Sequence, residues 1–304
     1  MTTPSFIHIG KWIKERYPAP VMVYASVLFL LCISVTLATH GLPVQMTSTQ
    51  WVGAAMAISV FLMIRGIDEH KDYETDVIYH SHRVLQRGLI TLNHIKIVVF
   101  LCALAQLAYS LYIDRGIGHA TFAWGIMMAY LALMTKEFFV SEWLKKKLFL
   151  YSVSHMFIMV LIVYWFGQTA LPTTTISLSV WPLMALTFLS GFSGEIIRKT
   201  WAPEEERDGV DSYAKIFGLS GACSMVLALL AGAAGILGYW IHAYADTHTS
   251  LLYMGIGFAY ALPLFSIIRF MRQPSIKGRK LNELSVGLFM MLAYTEIILF
   301  LNLL

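Results

Sequence analysis

Five of the 18 acidic residues fall between Asp68 and Asp76, in the stretch Arg65-Gly66-Ile67-Asp68-Glu69-His70-Lys71-Asp72-Tyr73-Glu74-Thr75-Asp76. At about 100° per residue, a helix through it puts Asp68, Glu69, Asp72, Asp76 and Arg65 within one arc of about 100°, with Glu74 on the far side. Like charges four residues apart destabilise a helix unless something compensates them. Stacked carboxylates are hard oxygen ligands of the kind that suits Mg²⁺, which takes one or two and completes its shell with water and phosphate oxygens. The spacing points to a metal–diphosphate site; the competing reading is a solvated charged face.

Six more acids lie between Glu195 and Asp211. Glu195 and Lys199 share a helix face. Pro203 favours a helix start, and a helix from there would align Glu204, Asp208, Asp211 and Lys215, although Gly209 weakens it. Interleaved acids and bases suit a second metal with cationic grips on phosphate; plain i, i+4 salt bridging is the alternative. His80-Ser81-His82 could be read as a metal pair, but a loop-anchoring role suits it better.

The elements that must position these residues are membrane helices. The chain of 304 residues is 58% hydrophobic and 13% charged, with a mean hydropathy of +0.66. Soluble domains carry about 25% charge, and so large an apolar excess cannot be hidden in one soluble core. A cytosolic enzyme, a disordered chain and a disulfide scaffold are thereby excluded. Cys32, Cys102 and Cys223 each lie in an apolar run, as packing residues. A spanning helix needs about 20 mostly apolar residues, and nine stretches qualify, near 20–39, 49–66, 95–113, 118–135, 148–166, 177–194, 216–240, 250–269 and 284–303. With a cytoplasmic N-terminus, 21 of the 22 Lys and Arg fall on one side, leaving Arg115. That is the asymmetry the positive-inside rule requires. The expectation is an all-α polytopic membrane domain over 1–304: nine helices, a cytoplasmic segment 1–19 retained rather than cleaved, and acidic loops 67–94 and 195–215 on the same side.

The first acidic segment resembles the UbiA superfamily of intramembrane prenyltransferases, whose signature is Asn-Asp-x-x-Asp-x-x-x-Asp. Asp68-Glu69-x-x-Asp72-x-x-x-Asp76 fits that spacing, with Asp in place of Asn and Glu in place of the first Asp. His82-Arg83-Val84-Leu85-Gln86-Arg87-Gly88-Leu89-Ile90-Thr91 is similar to the family's Arg-Pro-Leu-x-x-Gly-x-Ile-Ser stretch, with Val84 at the proline. A second family segment corresponds to Glu195 through Gly218, where Glu195 stands at a common Asp and Glu204, Glu205 and Glu206 have no one-to-one match.

The resemblance implies a helix bundle around a central cavity open to the cytoplasm, and transfer of a prenyl group from an allylic diphosphate to an aromatic or other lipophilic nucleophile. By the same resemblance Mg²⁺ would be held by Asp68, Glu69, Asp72 and Asp76, and a second ion by Glu195, Asp208 and Asp211. Arg65, Arg83, Arg198, Lys199 and Lys215 would grip the diphosphate, with Arg65, Asp72, Asp76 and Lys199 the catalytic group. An allylic cation needs an apolar, aromatic-walled cavity; Tyr130, Tyr151, Tyr164 and Trp165 are in place to supply one, or to pack. His155 and Glu296 are ionisable groups within spans, where function is the default hypothesis and packing the alternative. A terpene cyclase on the same scaffold stays open. A transporter fits less well, because its ionisable groups would sit at the bilayer midplane, and the longer CDP-alcohol phosphotransferase signature is absent. Partners are then the prenyl diphosphate, the acceptor and membrane lipids, with no sign of nucleic acid or an obligate protein partner.

Overall fold

A computed structural model describes residues 6–171, 180–244 and 249–302, and every regular element among them is helical. In chain order these are α1 (Phe6–Arg16), α2 (Ala19–Thr39), α3 (Ser48–Lys71), α4 (Tyr73–Tyr79), α5 (Leu92–Asp114), α6 (His119–Thr135), α7 (Ser141–Lys145), α8 (Leu148–Met156), α9 (Ile158–Ala170), α10 (Trp181–Arg198), α11 (Tyr213–Phe217), α12 (Leu219–Tyr244), α13 (Thr249–Arg272) and α14 (Ile276–Asn302).

Among the described residues seven spans are long and apolar enough to cross a bilayer: α2, α3, α5, α8 with α9, α12, α13 and α14. The chain is a multi-pass membrane protein. Of the other two expected spans, α6 is apolar but 17 residues long, and α10 carries Glu195 and Arg198 in its last turn. Residues 177–179 of the expected sixth span lie outside the described residues.

Local chemistry sets the ends of the helices that bear on the site. α3 opens at Thr47, whose backbone amide donates to the Gln50 side chain at 2.7 Å, one half of a capping box. α5 stops where Arg115 turns left-handed at φ 56°. The Asp114 carboxylate then accepts from the amides of Ala120 (3.1 Å) and Thr121 (2.7 Å) and so starts α6. α2 is the most enclosed helix, packed by α3, α9 and α14, while α10 joins α9, α12 and α14. One polar network at membrane depth pairs its groups with each other, since hydrocarbon offers no water: Gln106 donates to Ser59 (3.0 Å) and receives the indole of Trp124 (3.3 Å), and Trp165 donates to Ser110 (2.9 Å).

A smaller apolar cluster decides where α1 lies. Trp12 is fully buried and packs with Leu85, Ile90 and Ile95. This holds α1 on the 84–95 segment and brings Arg16 to the acidic end of α3.

Candidate active site

The last turn of α3 passes into α4 through a kink at Asp72 (φ −93°, ψ −1°). The helical register survives it, because the Asp72 amide donates to the Asp68 carbonyl and the Asp76 amide to the Asp72 carbonyl, both at 2.8 Å. The expected stacking of Asp68, Asp72 and Asp76 is therefore present in the backbone.

The acids in that stack have different partners. Glu69 is 1% exposed and its Oε1 takes the guanidiniums of Arg16 and Arg65, the latter at 3.3 Å, leaving Oε2 buried and unpartnered. Asp76 is buried against Arg83 at 2.5 Å, with Arg16 at 3.7 Å and His80 at 3.9 Å. Asp68 has only a long approach to Arg65, 4.0 Å. Asp72 makes no ion pair among the described residues. Partial desolvation and then the neighbouring Asp76 carboxylate push the Asp72 carboxyl above the ordinary carboxylate range.

Asp72 opens onto a cleft of 360 Å³ lined also by Lys71, Thr75, Glu137, Lys145, Tyr151 and Lys199. Lys71 is its keystone: the ammonium lies 2.8 Å from Glu137 and donates to the Tyr151 hydroxyl at 2.7 Å. Lys145 reaches the other Glu137 oxygen at 3.4 Å. Lys199 lies 5.6 Å from the Tyr151 ring centroid, within cation–π range, while Lys71 sits at the ring's hydroxyl edge. Tyr151 stacks on His155 at 3.9 Å, and the His155 Nδ1 sits 2.8 Å from the Tyr151 carbonyl.

Glu137 sits in a strained place. It and the next two residues, Phe138 and Phe139, have φ of 47°, 55° and 61°. Each non-glycine residue there costs on the order of 1–2 kcal/mol. The strained turn sets the buried Glu137 carboxylate between Lys71, Lys145 and the hydroxyl of Ser141. Burial alone would raise the Glu137 carboxyl, but the hydrogen bonds from Lys71 and Ser141 outweigh it and hold the group below its usual range.

At the end of α10, Glu195 binds Arg198 at 2.6 Å and Lys199 at 2.8 Å, so the expected shared face is present. Burial would raise its carboxyl, but these two cations more than offset that. The next stretch departs from expectation. After Pro203 only a single 3₁₀ turn forms, Pro203–Glu205; Glu206 is extended and Gly209 turns left-handed at φ 73°. The helical face proposed for Glu204, Asp208, Asp211 and Lys215 therefore does not exist. Asp208 and Asp211 are exposed on this loop. The Lys215 ammonium closes the same loop, donating to the carbonyls of Arg207 and Val210 (2.9 Å to the latter) and pairing with Glu206 at 3.6 Å. None of the three lines the cleft. Among the described residues no three His, Cys, Asp or Glu side chains converge on one metal position.

The other singled-out residues fall in distinct places. Trp165 is a buried packing residue, Tyr164 is partly buried against the core, and Tyr130 donates to the Ser154 carbonyl at 2.7 Å. The rings of His80 and His82 meet edge to face, 6.1 Å apart. Glu296 lies against Gly255 of α13. Sequence reasoning passed over Arg16, Lys71, Glu137 and Lys145 as parts of the site. Lys71 had a signal, being enclosed by acids on both sides; Lys145 enters only the count of bases on one side, and nothing beside Glu137 in the chain marks it.

No family model matches the sequence, and no curated protein matches it significantly. Solved structures do. A digeranylgeranylglyceryl phosphate synthase superposes with a TM-score of 0.66 at 17% identity, covering 98% of this chain and 100% of that one. A UbiA homolog from Aeropyrum pernix K1 gives 0.64 at 15% identity, covering 92% and 98%. The chain has the UbiA fold. At these identities the likeness establishes architecture over nearly the full length of both UbiA-fold chains, and the chemistry rests on the residues described above.

Proposed function

We propose that this UbiA-fold chain is a Mg²⁺-dependent integral-membrane prenyltransferase that moves an isoprenyl group from an allylic diphosphate to a lipophilic nucleophilic acceptor. The reading treats residues 1–304 as one domain of nine spans with a cytoplasmic N-terminus, and a central cavity opening on the cytoplasmic side. The observation that carries it is the cleft where Asp72, without an ion pair among the described residues, faces Lys71, Lys145 and Lys199 beside Tyr151.

The donor set suits Mg²⁺. Asp68 and Asp72 lie one helical turn apart and are the carboxylates least claimed by cations, and Glu69 keeps a bare Oε2. Two carboxylates with phosphate oxygens completing the shell is the ordinary Mg²⁺ arrangement, so the lack of a third convergent side chain is no obstacle. When bound, the metal supplies charge neutralisation at the departing diphosphate.

The chain's own groups do the rest. Lys199, Lys145 and Lys71 offer ammonium donors to the phosphate oxygens, with Arg198 beside them and Glu195 fixing Arg198 and Lys199. Arg65 and Arg83 are better described as positioning residues, since they hold Glu69 and Asp76. The allylic C1–O bond breaks with its electron pair going to the diphosphate. The Tyr151 ring, with Lys199 at 5.6 Å from its centroid, offers a π-face to the allylic cation. The acceptor's electron pair then forms the new bond to C1, and its displaced proton leaves to solvent or diphosphate.

The test is a mass-spectrometric screen of purified protein with Mg²⁺, farnesyl or geranylgeranyl diphosphate, and a membrane lipid extract as acceptor source. A species heavier than an acceptor by one prenyl unit supports the reading. A cyclic hydrocarbon formed without any acceptor would replace it with the cyclase alternative.

A further inference from the structure

A second groove, of 560 Å³, lies between α3 and α5, away from the acids of the cleft. Ile67 of α3 and Val99, Phe100 and Ala103 of α5 form its apolar wall, and His70, Lys71, Lys96 and Thr135 of α6 form its polar part, with no acid in the lining. The volume lies within the range of small-ligand pockets. Phe100 is 65% exposed, so on a spanning helix the groove opens toward lipid. Lys96 is exposed and forms no ion pair among the described residues. His70 adds an independent signal. Its Nδ1 lies 2.9 Å from the Gly66 carbonyl, while its Nε2 is buried with no hydrogen-bond partner among the described residues. In that tautomer Nε2 is an acceptor awaiting a donor.

We propose that this groove binds one anionic phospholipid with a hydroxylated headgroup. A hydrocarbon chain lies along Val99, Phe100 and Ala103, the phosphate meets Lys96, and a headgroup hydroxyl donates to His70 Nε2. Charge complementarity selects this occupant: the wall is apolar, the rim is cationic, and the one orphaned atom wants a donor, which phosphatidylglycerol supplies and phosphatidylcholine does not. Lys71 lines both this groove and the cleft, so a lipid seated here lies against the residue that anchors Glu137 and Tyr151.

The experiment is native mass spectrometry of the purified full-length protein, titrated with phosphatidylglycerol, phosphatidic acid or phosphatidylcholine of identical chains. Phosphatidylglycerol should bind most tightly. Lys96→Ala should weaken it about five-fold, the equivalent of about 1 kcal/mol for one lysine at a lipid surface, and leave phosphatidylcholine unchanged. His70→Ala should weaken phosphatidylglycerol but not phosphatidic acid, which has no headgroup hydroxyl of that kind. Ala103→Phe, which fills the groove without altering charge, should reduce binding of phosphatidylglycerol. Equal affinity for phosphatidylglycerol and phosphatidylcholine, or retention unchanged in both Lys96→Ala and Ala103→Phe, would overturn the assignment. Neither readout depends on transferase activity, so this proposal and the prenyltransferase reading can fail separately.

Discussion

Substituting Glu69 and Asp72 separately should pull stability and turnover apart, because the two carboxylates sit three residues apart in opposite circumstances. Glu69 is 1% exposed and neutralises Arg16 and Arg65. Breaking a buried pair costs about 3–5 kcal/mol. Arg16 retains Asp76 at 3.7 Å and Arg65 retains Asp68 at 4.0 Å, so Glu69→Gln should fall at the low end, about 3 kcal/mol. Asp72 has no such partner among the described residues and is held near the like charge of Asp76. Asp72→Asn removes that repulsion, so it should leave stability unchanged or raise it by a few tenths of a kcal/mol, roughly the i, i+4 like-charge penalty. Its effect on turnover should be large. Losing one preorganised electrostatic contact to a developing charge typically costs 10²–10³-fold, about 2.7–4 kcal/mol. Thermal unfolding in detergent with and without Mg²⁺, alongside diphosphate release, measures both quantities. Wild type should be stabilised by Mg²⁺ through preferential binding to the folded state, and Asp72→Asn much less so. Asp72→Asn unfolding as readily as Glu69→Gln, or turning over at near wild-type rate, would refute the division between ion-paired and metal-facing acids.

Three further outcomes follow from other parts of the structure. Glu137 has a lowered carboxyl pKa, so its pairing stabilises the fold above the unfolded value and is lost as pH falls through the folded one; acid unfolding of Glu137→Gln should therefore lack a component that wild type shows below about pH 4. Tyr151→Phe keeps the ring near Lys199 but loses the hydrogen bond from Lys71, so it should lose less activity than Tyr151→Leu, whose deficit should be about 2- to 30-fold for a cation–π contact of about 0.5–2 kcal/mol, read from kcat/KM for the prenyl diphosphate. At Gly53 an added Cβ would fall 2.2 Å from the Phe29 ring and 2.5 Å from the Tyr109 hydroxyl, so Gly53→Ala should destabilise by about 1–3 kcal/mol as an overpacked contact does, with the Tm lowered and the Mg²⁺ response kept.

What could be read from the sequence was what depends on neighbours along the chain or on the lipid. The stacking of Asp68, Asp72 and Asp76 follows from helical periodicity, and it survives the kink at Asp72 because the two amide hydrogen bonds across it stay in register. The spans stand out because hydrocarbon demands long apolar helices. What was hidden depends on packing between distant segments. Arg16 reaches Glu69 from 53 residues away, and it does so because Trp12 is buried against Leu85 and Ile90; no local pattern encodes which acid a distant arginine will take. The second acidic segment failed for a different reason. A proline start and i, i+4 charges gave a plausible helix, but the stretch has no apolar stripe to bury, and Gly209 turns left-handed instead. Asp208, Asp211 and Lys215 thereby fall onto a loop that Lys215 itself closes.

The most direct measurement is an experimental structure of the protein with Mg²⁺ and a non-hydrolysable thiolodiphosphate analogue of the prenyl donor. The account predicts Mg²⁺ at about 2.0–2.1 Å from carboxylate oxygens of Asp68 or Asp72, and the diphosphate within reach of Lys71, Lys145 and Lys199. Metal and diphosphate bound elsewhere, with Asp72 left facing solvent, would contradict it.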